Sequence, residues 1–351
     1  MAAFTRNNSS SLSMLIPSLF FALLSSFNSV NGDAEANSLY LFDTIYQFGD
    51  SIADTGNLVR EGPLGAATPF SRFPYGDTYF NKPTGRCSNG LLMIDFIAKE
   101  LGLPHLNPYL DKEADFQHGA NFAVAGSTAL DTSILAQNRI MVPVTNSSLD
   151  IQVDWFTDHL KSKCSSKSEC AKILKKTLFM VGEIGGNDYN YAILQGKTID
   201  EVKADLVPKV IQTIKNAAEK LIDLGGVHLV IPGNFPIGCL PIYLTAFKSD
   251  NSSAYDKAGC LRGLNKFALF HNHHLEQMLH QLRKEHPDAL IVYADYYNAF
   301  KSVLGNATLH GFDKESVLKA CCGSGGDYNF DLTKLCGFDG ARPRVLTQTK
   351  D

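Results

Sequence analysis

The chain has 351 residues, of which 44% are hydrophobic and 19% are charged, and its formal net charge is −4. This length fits one large domain or two of average size. The 32 Lys and Arg residues and the 36 Asp and Glu residues are mixed along the chain, and no basic patch with interleaved aromatic residues occurs. The composition therefore gives no indication of a nucleic-acid or membrane-surface partner.

The first 32 residues have the layout of a secretory signal peptide. Arg6 and a polar run precede the apolar stretch LSMLIPSLFFALLSSF, and small and polar residues follow it up to Gly32, where we expect cleavage. A membrane anchor is the alternative, but Pro17 and Ser18 interrupt the apolar stretch, which is shorter than the ~20 residues that a span needs. We therefore predict a protein secreted to the extracellular space, cell wall, apoplast or vacuole, without a stable membrane span.

All eight cysteines follow the expected cleavage site, and an oxidising compartment favours disulfides between them. Their connectivity stays open, although the close spacing of Cys164 and Cys170 makes these two a candidate local pair. Zinc binding is the alternative, but no C-x-x-C motif and no histidine at ligand spacing accompany the cysteines, so we predict no metal site. Asn146, Asn251 and Asn306 each begin an N-x-S/T sequon, which is typical of a secreted glycoprotein, although sequons also arise by chance.

Short apolar runs alternate with longer helical patterns along the chain. In order, the sequence predicts a strand over 44–48, a helix over 88–103 with Ser88 as its N-cap, a strand over 177–184, a helix over 201–225 that ends on Gly225, a strand over 227–233, a helix over 264–285 and a strand over 289–295. This alternation indicates a mainly parallel sheet covered on both faces. No repeat, low-complexity tract or linker divides the chain, so we expect a single α/β domain over residues 33–351.

Three polar or glycine-rich stretches are candidate ligand-binding loops. Ser51, in GDS after the first strand, lies where a helix N-terminus would stabilise an oxyanion, but serine is also a common helix cap. Gly126, in a run of small residues, would let a backbone N–H approach a ligand closely, and Asn187, in GGND, offers a side-chain N–H. Considered alone, Gly126 and Asn187 are each explained equally well by a tight turn. Asp54 and Asn57 fit ordinary caps or turn formers.

Taken together, these stretches resemble one family. In this order and spacing, FGDSIADTGN, NFAVAGSTAL and GGNDY are similar to the first three sequence blocks of the GDSL esterase/lipase family, also called SGNH hydrolases. The resemblance continues through PTGRCSNGLLMIDFIA, IPGNFPIGC, YADYYNA and KACCGSGGDYNFD, and covers roughly residues 42–340. It is closest to the secreted plant branch that includes acetylajmalan esterase and sinapine esterase. The resemblance implies a three-layer αβα, flavodoxin-like fold with a central, mainly parallel sheet, here truncated at its C-terminus.

The family pattern also implies a role for each matched residue. Ser51 takes the position of the nucleophile, in GDS rather than in the G-x-S-x-G elbow of other lipases. The backbone N–H groups of Ser51 and Gly126, with the side chain of Asn187, would form the oxyanion hole. The implied reaction is hydrolysis of a small-molecule, lipid or specialised-metabolite acyl ester through serine attack, an acyl-enzyme and water, without a cofactor.

The family's general base, a histidine in an Asp-x-x-His block near the C-terminus, has no counterpart after Cys336. His310 has Asp313 three residues later, the reverse order, and we interpret it as a surface histidine. His118 adjoins the Gly126 block and is the best remaining candidate. Four other histidines fall in the helix predicted over 264–285 and are interpreted as ordinary helix residues: His271, His273, His274 and His280.

The C-terminal tail over about 341–351 is atypical of the family. Residues 344–350 admit codons that, read from the third base, encode Cys-Pro-Asn-Pro-Asn-Lys, which is close to the way relatives continue. We hypothesise that a frameshift or an altered splice site replaced the family's C-terminus, and we expect such a chain to be a weak or inactive esterase and less stable than full-length relatives. The alternative function is a non-catalytic ester- or glycan-binding homologue that keeps the pocket, and a purely structural secreted glycoprotein is a third interpretation.

Overall fold

The computed structural model of the protein describes residues 42–343. At its centre is a five-stranded sheet in the order β2–β1–β3–β4–β5, in which every neighbouring pair is parallel. This order is the doubly wound, flavodoxin-like arrangement that the resemblance implied, so that prediction is confirmed. The strands are β1 (Thr44–Phe48), β2 (Gly119–Asn121), β3 (Thr177–Val181), β4 (His228–Pro232) and β5 (Leu290–Ala294).

Helices connect the strands and cover the sheet. A short antiparallel ladder of β6 (Cys322–Gly323) and β7 (Arg342–Pro343) closes the described part of the chain. The signal peptide predicted over 1–32 and the tail from residue 344 lie outside the described residues. The helices are α1 (Pro63–Ala66), α2 (Met93–Glu100), α3 (Thr132–Gln137), α4 (Leu149–Lys163), α5 (Lys167–Leu174), α6 (Gly186–Leu194), α7 (Ile199–Asp205), α8 (Val207–Asp223), α9 (Pro241–Ala246), α10 (Arg262–Glu285) and α11 (Tyr296–Gly305).

The sheet separates two apolar layers. Successive side chains of a strand point to opposite faces, so alternate residues of one strand enter different clusters. Phe179 and Val181 of β3 belong to the larger cluster, together with buried residues of α4, α8 and α10. Leu178 and Met180 of the same strand belong to the second cluster, which includes residues of α2 and α11. Because both faces are covered, strands such as β3 are buried along their whole length and their sequences are continuous apolar runs.

The prediction for the first helix is wrong at its start. The helix predicted over 88–103 is α2, and its N-cap is Leu92 rather than Ser88. The Ser88 hydroxyl accepts a hydrogen bond from the Gly90 N–H at 3.0 Å, within the loop that precedes the helix. The Asp95 carboxylate closes the first turn instead, since it accepts from the Leu92 N–H at 2.9 Å.

The helix predicted over 201–225 is two helices, α7 and α8, which meet at Leu206. Pro208 has no N–H with which to continue the hydrogen bonds of α7, but it is well suited to the first turn of a new helix. The helix predicted over 264–285 is α10, which begins at Arg262 and ends at Glu285 as expected.

Three disulfides stabilise the connections between elements, and the predicted local pair is confirmed among them. Cys164–Cys170 joins the end of α4 to α5, while the other two are Cys239–Cys260 and Cys322–Cys336. Within residues 42–343, no group of three His, Cys, Asp or Glu side chains could hold a metal ion. The helices in that range are all too short or too polar to cross a membrane.

Candidate active site

Ser51 lies in a tight turn directly after β1, at the carboxyl edge of the sheet, and is half-buried. Gly49 begins the turn with a φ of +136°, and a Cβ there would lie 3.0 Å from the Glu183 carbonyl oxygen, so glycine is required. The Asp50 N–H donates to that same carbonyl at 3.2 Å. In the described chain the first helical segment after β1 is the 3₁₀ segment Leu58–Arg60, whose N-cap is Asn57, so Ser51 is not the cap of the next helix.

Asp54 joins the Ser51 turn to the Gly126 loop. At 2.6–3.1 Å, its fully buried carboxylate accepts four backbone N–H groups, those of Gly56, Asn57, Leu58 and Ala125. Burial raises the pKa of this carboxyl, and the hydrogen bonds from the backbone oppose that shift. The sequence predicts only a cap or turn former at Asp54, because its bond to the distant Gly126 loop has no local signal.

Asn57 and Asn121 form a second buried link between the same two loops. The Asn57 amide donates to the carbonyls of Asn121 and Ala123, both at 2.8 Å. The Asn121 amide donates in return to the Ala53 carbonyl at 2.7 Å. These reciprocal bonds fix the segment after β2 against the Ser51 turn, and they too connect positions that are far apart in the sequence.

Gly126 needs to be glycine for two reasons. Its φ is +87°, and a Cβ would lie 2.7 Å from the Cβ of Val144, which packs over this position. Its carbonyl accepts a hydrogen bond from the Tyr191 hydroxyl at 2.9 Å. The peptide unit that follows Gly126 is thereby held in place.

The backbone N–H groups of Ser51 and Gly126 donate to no acceptor within residues 42–343. The neighbouring N–H groups of Asp50, Ile52, Ala125 and Ser127 all donate within the chain. Backbone N–H groups that are buried are nearly always paired, but both residues are only half-buried, so these two N–H groups are open to water or to a ligand.

Asn187 connects the two loops through its side-chain amide. It lies in the first turn of α6, which follows β3 and begins after Gly185 with a φ of +95°. Its Nδ2 donates to Asp50 Oδ2 at 3.2 Å and to the Ser127 carbonyl at 2.9 Å. Asp50 and Ser127 are the immediate neighbours of Ser51 and Gly126, so the structure brings the three predicted residues together.

Asp188 supports Asn187 from inside the protein. Its buried carboxylate accepts from the N–H groups of Ala129 and Leu130 at 2.8 and 2.9 Å. Burial raises the pKa of Asp188 to about 7, against the effect of these bonds. The start of α6 is thus bonded directly to the segment that follows Gly126.

Glu183 is a functional candidate that the sequence analysis missed. It follows β3, is buried and hydrogen-bonds through its carboxyl group to the Asp50 side chain. Burial raises the pKa of Asp50 to about 6, and burial beside the Asp50 charge raises that of Glu183 well above its usual range. The available signal was a single acid at the end of the apolar run TLFMVGEI.

His118 does not lie near Ser51, and its candidacy as the base is wrong. Its ring contacts the carbonyl of Asp43 at 3.1 Å, and Asp43 precedes β1 whereas Ser51 follows it. His118 also directly precedes β2, which runs parallel to β1. The two side chains therefore lie at opposite edges of the sheet.

The other candidate histidines are also accounted for. His271 is buried in α10, its Nδ1 lies 2.8 Å from the Tyr189 hydroxyl, and burial lowers its pKa to about 3. His273, His274 and His280 are on the same helix, and His310 is in the 3₁₀ segment Ala307–His310. Within residues 42–343, no histidine is hydrogen-bonded to the Ser51 hydroxyl.

Two comparisons with known proteins identify the family of the chain. The family model of the GDSL-like lipases/acylhydrolases matches residues 45–348. Acetylajmalan esterase 2 of Rauvolfia serpentina is 49% identical over 310 residues, which are 88% of this chain and 84% of that protein. Acetylajmalan esterase 1 of the same plant is 46% identical over 299 residues, 85% and 78% of the two chains. A GDSL esterase/lipase of Arabidopsis thaliana is 44% identical over 322 residues, 91% and 82% of the two chains. The resemblance of the sequence blocks is confirmed: the chain belongs to the GDSL lipase/acylhydrolase family of carboxylic ester hydrolases.

Proposed function

We propose that this protein is a secreted serine ester hydrolase in which Ser51 forms the acyl-enzyme. The observation that carries the proposal is the pair of unpaired N–H groups at Ser51 and Gly126, joined by the Asn187 amide. Donors of this kind must point at the oxygen that becomes negative in the transition state. Acyl transfer needs such donors beside the nucleophile. We propose that these three donors act together beside the half-buried Ser51 hydroxyl.

The proposed reaction begins when Ser51 Oγ attacks the ester carbonyl carbon and its proton passes to a base. The carbonyl oxygen becomes an oxyanion, which the two backbone N–H groups and the Asn187 amide stabilise. Removal of one such donor typically costs about 2.7–4 kcal/mol of transition-state stabilisation. The alcohol leaves with a proton, and water then hydrolyses the acyl-enzyme to regenerate the Ser51 hydroxyl.

The Asn187 amide must change partners during this cycle. Both of its N–H bonds already have acceptors, Asp50 Oδ2 at 3.2 Å and the Ser127 carbonyl at 2.9 Å. The longer bond is the weaker one, so we expect the oxyanion to replace Asp50 as acceptor while the bond to Ser127 persists.

The described residues do not supply the base of the proposed reaction. The family's Asp-x-x-His does not occur in the sequence after Cys336, and the described residues supply no histidine at Ser51. In the serine hydrolase subtilisin, loss of the base costs about 10⁶ in turnover, and the remaining site still accelerates the reaction about 10³–10⁴-fold over water. A site that no base completes would correspond to the second candidate function, a non-catalytic ester- or glycan-binding homologue.

We propose a small acyl ester of a specialised metabolite as the substrate. The two Rauvolfia relatives are named as acetylajmalan esterases. A short acyl ester is therefore the first substrate to test.

Covalent labelling tests the nucleophile. A fluorophosphonate should label the chain and fail to label Ser51→Ala, whereas a binding protein with an inert serine would label in neither form. Hydrolysis of a panel of acetyl esters by the chain, and by a version extended with an Asp-x-x-His block, tests the base. Equal rates would contradict the role that we assign to that block.

Secretion and glycosylation stay predictions with their own test. The side chains of Asn146, Asn251 and Asn306 are exposed, as a glycan requires. Expression in plant cells should yield protein in the culture medium or in the vacuole. Its N-terminus should lie near Gly32, and its mass should fall after glycosidase treatment. A cytosolic product that keeps Met1 would contradict the signal-peptide prediction.

A further inference from the structure

Asp50 and Glu183 bring two carboxyl groups into one buried contact beside Ser51. Their residues are 3% and 8% exposed, and the two side chains are hydrogen-bonded to each other. An ionised carboxylate only accepts hydrogen bonds. The bond between these two groups therefore requires a proton on one of them.

The surroundings assign that proton to Glu183. Asp50 accepts from the Ile52 N–H at 2.9 Å and from the Asn187 amide at 3.2 Å, and both bonds favour its carboxylate form. The Glu183 carboxyl accepts from no N–H group within the described chain. Glu183 is thus the neutral donor and Asp50 the charged acceptor.

No cation among the described residues compensates a second charge. Neither Asp50 nor Glu183 forms a salt bridge with a Lys, Arg or His side chain of that part of the chain, so ionisation of both carboxyls would leave an unpaired buried charge. His271 of α10, close to Gly185, hydrogen-bonds to Tyr189 instead. The acids that interact electrostatically with the pair include Asp54, Cys87, Asp188, Tyr191, Tyr243 and Tyr296.

We propose that Glu183 is a positioning residue: its carboxylic acid donates to the Asp50 carboxylate and holds it where it binds Asn187 beside Ser51. Because one carboxyl is protonated, the pair carries a single negative charge, and this limits its repulsion of an oxyanion. When Asn187 turns to the oxyanion, Asp50 retains the bonds from Glu183 and Ile52. The contribution to catalysis rests on the proposed function, whereas the shared proton does not.

The proton itself is tested by infrared spectroscopy on the full chain at neutral pH. The variants are Glu183→Gln, Glu183→Ala and the control Glu276→Gln, which changes an exposed glutamate of α10. We expect part of the carbonyl band of protonated carboxylic acids to vanish in both Glu183 variants and to persist in the control. A band that Glu183→Gln leaves unchanged would overturn the proposal.

Positioning is tested by hydrogen exchange of the segments 49–57 and 182–190. Glutamine donates a hydrogen bond as the protonated acid does, so Glu183→Gln should exchange like the unsubstituted chain. Glu183→Ala should exchange roughly tenfold faster in both segments, because a bond to a charged group is lost. Equal exchange in the alanine and glutamine variants would refute the donor role.

The pH dependence distinguishes this donor from a merely structural residue. Because the folded-state pKa of Glu183 is raised, its stabilising effect is present at low pH and is lost as pH rises through the folded value. As the pH is raised, the unfolding midpoint of Glu183→Gln should therefore fall less than that of the unsubstituted chain. Identical dependences of the midpoint on pH would count against the proposal. Absence of fluorophosphonate labelling would refute only the proposed function, since the infrared, exchange and unfolding results do not depend on turnover.

Discussion

Asp54→Asn is the substitution that best tests whether the polar network holds the site together. The change keeps the size of the side chain and replaces one carboxylate oxygen by an NH₂ group. Both oxygens of Asp54 accept two backbone N–H groups each, at distances of 2.6–3.1 Å. Whichever way the amide is turned, two N–H groups lose their acceptor and face a donor.

The expected cost follows from those two groups. Leaving a buried donor unsatisfied costs about 1–3 kcal/mol, so the substitution should lower the free energy of unfolding by about 2–6 kcal/mol. That is a large part of the roughly 5–15 kcal/mol that stabilises a typical domain. Asp54→Ala would leave all four N–H groups unsatisfied, and we expect it not to fold.

Urea unfolding followed by the fluorescence of Trp155, the single tryptophan of the chain, measures the effect. The matched control is Asp115→Asn, because the exposed Asp115 carboxylate accepts one backbone N–H, that of Gln117 at 2.9 Å. The midpoint of Asp54→Asn should fall with an unchanged slope, while the control stays near the parent. A loss below about 1 kcal/mol, or one no larger than that of the control, would refute the reasoning.

Three further predictions concern the rest of the molecule. Gly126→Ala should lower stability by about 1–3 kcal/mol in urea unfolding and reduce fluorophosphonate labelling, since the φ of +87° is strained for alanine; unchanged labelling would argue against the Gly126 N–H as a donor. Because burial lowers the pKa of His271 to about 3, the fold should lose stability as pH falls from the unfolded value of about 6.5, and His271→Phe with Tyr189→Phe should resist acid unfolding better, by up to about 5 kcal/mol. An acid-unfolding midpoint equal to that of the parent would contradict this. Cys239→Ala with Cys260→Ala opens a loop with a sequence separation of 21 and should cost about 2–4 kcal/mol by thermal or urea unfolding, a value near zero being the contrary result.

The fold could be predicted where the buried strands carry apolar runs. Four of the five strands of the central sheet were found in this way, but β2 was not, because Gly119–Asn121 has the sequence Gly-Ala-Asn and contains no β-branched or aromatic residue. The break at Leu206 was missed for a different reason. The amphipathic pattern continues from α7 into α8, so periodicity alone gives one helix although Pro208 ends the hydrogen-bond ladder.

The sequence predicts those candidate site residues that belong to short local blocks. It does not predict the residues whose partners are distant along the chain. Ser51, Gly126 and Asn187 each lie in a short recognisable stretch. Asp54 and Glu183 look ordinary in sequence, because partners such as Ala125 and Asp50 are distant along the chain and only the fold brings them close. His118 shows the converse error: it is near Gly126 in sequence, but β2 separates the two along its length.

Strand order explains why three separate blocks form one site. β1 lies between β2 and β3 in the sheet, so the segments that follow these three strands are neighbours at the same edge. The Ser51 turn is in the middle, with the Gly126 loop on one side and the start of α6 on the other. The three proposed donors can therefore meet at one point because each loop follows an adjacent parallel strand. From the start of α6, the Asn187 amide reaches the middle turn through Asp50 and the Gly126 loop through Ser127, and we propose that the proton on Glu183 fixes Asp50 in this arrangement.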